Sequence, residues 1–176
     1  MSDADAPIAV IGIGNILLGD DGFGPYVVEL LRAQWAFPDS VTLLDAGTPG
    51  LDLVTYLHGR KVAILIDTVT ATGAPGALRL YRNADLAHLA PQARVSPHDP
   101  VVHEALQIAA LAGDDPQVLL VGVIPLSTEL GVGLSDTVRA AAAAASTVVV
   151  DELMACGVAP MLRREPMAAD AWWIQA

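Results

Sequence analysis

Three polar residues far apart in the chain, Asp21, Asp67 and His98, each sit where an apolar run stops. Asp21 closes the segment Ile8-Ala9-Val10-Ile11-Gly12-Ile13-Gly14-Asn15-Ile16-Leu17-Leu18-Gly19-Asp20-Asp21-Gly22. Asp67 ends Val62-Ala63-Ile64-Leu65-Ile66-Asp67, and His98 lies in the break Val95-Ser96-Pro97-His98-Asp99-Pro100. If these runs are neighbouring parallel strands, the two carboxylates converge at one edge of the sheet, within reach of the imidazole. Two oxygen donors and one nitrogen donor suit a divalent transition metal.

Each member also has a plainer reading. Acids at a helix N-terminus cap free N–H groups and complement the dipole, so one of Asp20 and Asp21 can cap while the other faces a site. A carboxylate ending an apolar strand, as Asp67 does, is costly unless bonded or placed at the sheet edge. A single loop histidine such as His98 is more often unremarkable, and His58, His88 and His103 read as helix or loop-surface residues. Asp45 ends a run before Gly47-Thr48-Pro49-Gly50, where glycines provide a turn or a close backbone approach.

The elements that must position these residues follow from periodicity. Ile8 to Ile13 is apolar on both faces, as in a buried central strand. Phe23, Val27, Leu30, Leu31 and the Gln34-Trp35 pair recur at helical spacing, with Pro25 in the first turn. Further strands are expected over Val41 to Asp45, up to Asp67, and over Val118 to Ile124, with helices near Leu51 to Leu57, Val101 to Leu111 and Ser135 to Cys156. Thr72-Gly73-Ala74-Pro75-Gly76 is a turn leading to an extra edge strand, Ala77 to Tyr81. Asn83 to Pro100 reads as a long connection with a helical turn near Asp85 to Leu89. Ser135 is the expected N-cap of the last helix, Gly157 lies past its end, and Ala140 to Ala145 has strong helix propensity suited to close packing. Alternating strands and helices predict a three-layer α/β/α sandwich with a mostly parallel, doubly wound sheet of about five strands. In such sheets the site lies beyond the carboxyl ends of the strands.

The 176 residues are expected to form one domain over 1–164, followed by a C-terminal tail, 165–176, loosely ordered or docked on a surface groove and carrying the exposed-looking pair Trp172-Trp173. With 53% hydrophobic and 16% charged residues, extensive disorder is excluded. Apolar runs stop short of a membrane span, the short acidic start predicts no secretory signal, and the lone Cys156 fits a reducing cytoplasm. The net charge is −11, with one lysine, Lys61, and eight scattered arginines. No basic footprint for a phosphate backbone exists, so neither nucleic acid nor an anionic membrane is an expected partner.

Three chemical rivals are weak. Gly12-Ile13-Gly14-Asn15-Ile16-Leu17 starts like a dinucleotide loop, but Leu17 replaces the third glycine and the following aspartates repel a pyrophosphate. A phospho-receiver needs a lysine after the last strand, where Ile124-Pro125 stands instead. A serine hydrolase of the nucleophile-elbow type needs Gly-x-Ser-x-Gly, which is missing from the sequence.

The stretch Gly12 to Gly24 is far more specific than any single residue in it. Together with Asp45-Ala46-Gly47-Thr48-Pro49-Gly50, Ile64-Leu65-Ile66-Asp67, Ser96-Pro97-His98 and Val121-Gly122-Val123-Ile124-Pro125, in that order, it resembles the nickel-iron hydrogenase maturation endopeptidases. The resemblance covers roughly Ile8 to Val158. It implies an α/β/α fold and an endopeptidase that removes a C-terminal extension from the precursor of the hydrogenase large subunit after nickel insertion. It implies further that Asp21, Asp67 and His98 contact nickel supplied by the substrate, other divalent ions being able to substitute, and that these three serve catalysis. The family's first acid is often glutamate; here it is aspartate, one methylene shorter. Either the metal sits closer to the strand ends, or Asp20 contributes instead. A metal-polarised carbonyl or a metal-bound water is the implied route to cleavage. A cytoplasmic monomer is the expected state. Two alternatives keep the fold: a nickel-dependent checkpoint protein that binds without cleaving, and a different metal hydrolase.

Overall fold

The computed structural model describes residues 6–88, 99–167, 169, 171 and 173. The first apolar run forms β1 (Ile8–Ile13), every residue of it buried. It hydrogen-bonds in parallel to β3 (Val41–Gly47) on one side and β4 (Val62–Thr68) on the other. β4 pairs in parallel with β6 (Gln117–Val123), and β5 (Leu78–Arg82) closes that edge antiparallel to β6. The order is therefore β3-β1-β4-β6-β5, a mixed and mostly parallel five-stranded sheet.

Strand alternation sends successive side chains to opposite faces, and both faces are covered. Ile8, Val10, Ile64, Ile66 and Val121 pack under α1 (Phe23–Gln34) and α5 (Asp136–Ala155). Ala9, Ile11, Leu65 and Leu120 pack under α2 (Leu53–Leu57), α3 (Asn83–His88) and α4 (Asp99–Ala112). The result is the three-layer α/β/α sandwich expected from periodicity. The alanine run of α5 buries Ala142 and Ala145 in the same cluster as Phe23, Val27 and Leu31 of α1. Ser135 caps α5 as expected, its hydroxyl accepting the Val138 N–H.

Two features depart from the periodicity. Trp35 leaves the α1 helix for extended backbone and, with Ala36, forms β2, which pairs antiparallel with β7 (Met161–Leu162). Two-residue strands carry no period, so no pattern announces them. Trp173 is only 6% exposed, and the Met167 N–H donates to the Ala33 carbonyl at 3.0 Å, so these tail positions are docked on the domain. Among the described residues no helix is long and apolar enough to cross a membrane.

Glycine sets the distance between α1 and the sheet. A Cβ on Gly24, in the first turn of α1, would overlap the Ile13 and Ile66 carbonyl oxygens. A Cβ on Gly12 would meet the Gly24 carbonyl at 2.5 Å. With hydrogen at both positions, the helix start presses directly on the ends of β1 and β4.

Candidate active site

The segment after β1 folds into a 3-10 turn at Gly19–Gly22, which buries Asp20 and Asp21 before α1 begins. Neither acid is the N-cap of the helix that follows: that position of α1 is Gly22, with no side-chain cap. Asp20 instead engages the loop after β6 and the residue that caps α5. Its Oδ1 accepts the Ser135 N–H (2.6 Å) at the start of α5. Its Oδ2 accepts the Leu126 N–H (2.8 Å), the Ser127 N–H (3.2 Å) and the Ser135 hydroxyl (3.0 Å). Four donors compensate a carboxylate that is 1% exposed. Backbone bonds reinforce the junction: Gly19 N–H to the Gly131 carbonyl, Gly131 N–H to the Leu17 carbonyl and Asp20 N–H to the Ser127 carbonyl. The loop after β1 and the loop after β6 are thus one stitched unit.

Asp21 turns to the strand ends instead. It is 1% exposed, its Oδ2 accepts the Asn15 N–H at 2.8 Å, and its Oδ1 accepts the Thr68 hydroxyl at 3.0 Å. Asp67 is fully buried, and its Oδ1 accepts the Thr68 N–H at 2.7 Å. One residue therefore bonds both carboxylates. Their junction lies at the carboxyl edge of neighbouring parallel strands, as a doubly wound sheet requires of its site. Gly14 makes room for it: its φ is 138°, and a Cβ there would overlap the Asp21 carbonyl oxygen.

Beside this edge opens a cleft of about 250 Å³ lined by Gly14, Asn15, Ile16, Pro25, Asp45, Gly47 and Thr48. Asp45 is occupied locally, its Oδ1 accepting the Gly47 N–H at 3.0 Å. Exposed apolar side chains lie on the stitched loops, Leu17 from the first and Leu126, Leu130 and Val132 from the second.

His98, with Ser96 and Pro97, lies outside the described residues, and α4 begins at the next position, Asp99. Among the described residues no group of three His, Cys, Asp or Glu side chains is placed to hold a metal ion. His58 and His103 keep their plainer readings, the first 2.7 Å from Asp114 and the second 2.9 Å from Gln107. Cys156 follows the last residue of α5, a helix of 20 residues whose opposite end meets Asp20, so it stands about 30 Å away from that junction. Burial pushes its thiol above the usual range, which suppresses the nucleophilic thiolate.

A family model described as hydrogenase maturation protease matches residues 25–152. A hydrogenase expression/formation protein of Azotobacter vinelandii is 37% identical over 158 residues, covering 89% of this chain and 76% of the relative. The hydrogenase 2 maturation protease of Escherichia coli (strain K12) is 36% identical over 153 residues, covering 86% of this chain and 93% of the relative.

The chain belongs to the hydrogenase maturation protease family.

Solved structures agree. The hydrogenase maturating endopeptidase of Escherichia coli matches with a TM-score of 0.82 at 35% identity, over 89% of this chain and 97% of that one. As a hydrogenase maturation protease the protein is a hydrolase of the peptidase class. Two residues of its candidate site went unremarked in the sequence, Thr68 and Asn15. A threonine closing a β-branched run reads as one more strand former, and a backbone N–H leaves no trace in sequence.

Proposed function

We propose that this protein removes the C-terminal extension of a nickel-iron hydrogenase large-subunit precursor once nickel is in place, and that Asp21, Asp67 and His98 recognise the substrate's nickel. The observation supporting this most is the joining of Asp21 and Asp67 through Thr68 at the buried carboxyl edge of the sheet. Asp20 is the poorer candidate, since four donors already engage it. Two carboxylates and an imidazole form a borderline donor set that suits nickel.

Nickel belongs to the substrate in this reading, so the enzyme tests for metal by completing its coordination. The metal supplies Lewis acidity toward the scissile carbonyl. The protein's part is to hold two acids in fixed positions in a poorly hydrated pocket and to guide the peptide across them. The cleft includes Asn15, whose backbone N–H bonds Asp21, and so gives an extended chain a place beside that bond. Water is the nucleophile, since Cys156 is remote and its thiol is held protonated.

The test is to incubate the protein with nickel-loaded and nickel-free precursor and weigh the products. Shortening of the nickel-loaded form alone is expected. Binding without shortening would identify a checkpoint protein, and equal shortening of both forms would remove nickel from the recognition step.

A further inference from the structure

We propose that Thr68 is a positioning residue of the reaction, a rigid spacer that fixes Asp21 relative to Asp67. This rests on the reading that both acids hold the substrate's nickel. Thr68 is the last residue of β4 and is fully buried. Its backbone N–H donates to Asp67 Oδ1 at 2.7 Å, and its hydroxyl donates to Asp21 Oδ1 at 3.0 Å. The two bonds leave the same residue in different directions. Alternation sends the Asp67 side chain to the face under α2 and α4, and the Thr68 side chain to the face under α1.

A packing role alone would not select threonine here. Val62 to Ile66 and Val69 on either side are apolar, and valine has the same shape without a hydroxyl that must be satisfied when buried. The hydroxyl is spent on one acceptor, the Asp21 carboxylate. β-Branching stiffens χ1, so the distance between the N–H and hydroxyl donors is set by the backbone of the strand end. Asp21 is also held at Oδ2 by the Asn15 N–H. Bonds to both oxygens stop the carboxylate rotating. An aspartate reaches one methylene less far than a glutamate, so it tolerates less error in direction, and Thr68 supplies that direction.

The test compares Thr68→Val, which keeps shape and loses the hydroxyl, with Thr68→Ser, which keeps the hydroxyl. Thr68→Ala serves as a second hydroxyl-free variant should the valine protein be unstable. Urea unfolding checks the fold, calorimetry with nickel ion alone reads affinity, and processing of nickel-loaded precursor gives kcat and KM separately. The hydroxyl-free variants are expected to fold, to bind nickel ion about 10- to 100-fold more weakly and to lose kcat. Serine, which keeps the hydroxyl without the β-branch, is expected to recover much of both. Wild-type nickel affinity and kcat in the folded valine or alanine variant overturn the proposal, as does a serine variant no better than alanine. If Asp21→Ala also processes normally, the metal reading falls along with it. If Asp21→Ala is inactive while Thr68→Val is normal, only the role of Thr68 falls.

Discussion

Ser135 holds Asp20 at two points, its N–H on Oδ1 at 2.6 Å and its hydroxyl on Oδ2 at 3.0 Å. This relationship separates two adjacent acids that look interchangeable in sequence. Asp20→Ala strands the Leu126, Ser127 and Ser135 donors, and each buried unsatisfied group costs about 1–3 kcal/mol. Partial access to water lowers the sum, so a loss of about 3 kcal/mol is expected in urea unfolding. An unchanged midpoint would return Asp20 to contention as a metal donor.

Asp21→Ala, Asp67→Ala and His98→Ala are distinguished by activity instead. Each is expected to stay folded and to leave a co-expressed precursor at full length, read by mass spectrometry. Normal trimming by any of the three sinks the assignment of that residue.

Gly24→Ala is expected to cost about 2–4 kcal/mol, because the methyl overlaps two carbonyl oxygens on separate strands and α1 must lift away. Gly47→Ala tests conformation alone: its φ is 56°, and nothing lies within 4 Å of an added Cβ. That change should cost about 1 kcal/mol. Thermal melts of the two proteins distinguish contact from conformation, and equal shifts would refute the tight seating of α1.

Arg82 at the end of β5 grips Glu152 on α5 with two bonds of 2.7 Å. Hydrogen bonding to Arg82, with its charge acting the same way, holds the Glu152 carboxyl below its ordinary 4.5 against partial burial. A depressed folded pKa contributes stability that is complete above the unfolded value and disappears as pH falls through the folded one. Arg82 is largely exposed, so the pair is worth about 0.2–1 kcal/mol. Glu152→Gln should therefore lower the urea midpoint slightly at neutral pH and match the wild type below the folded pKa. A gap that persists in strong acid would assign the effect to packing instead.

The layers of the fold were legible because each buried strand carries its own signal. Ile8–Ile13 is apolar throughout, and the Gly73–Gly76 turn announces the edge strand β5. The convergence of Asp21 and Asp67 was legible once strands were placed, since both sit where an apolar run ends. What escaped depends on partners distant in sequence. Asp20 looks like a local cap, but its donors lie more than 100 positions away. The β2–β7 pair has two residues a side, too few for any alternation to show. Thr68 hides because the property that suits it to a strand also disguises its hydroxyl.

The bond between Asp20 and Ser135 spans 115 positions, and this has a consequence in time. At about 5–20 residues per second, a ribosome needs roughly 6 to 23 seconds to make the intervening chain. For most of that interval, until Leu126 is made, Asp20 has none of the four donors that hold it in the finished fold. A chain stopped before Leu126 therefore lacks every donor that joins Asp20 to the second loop.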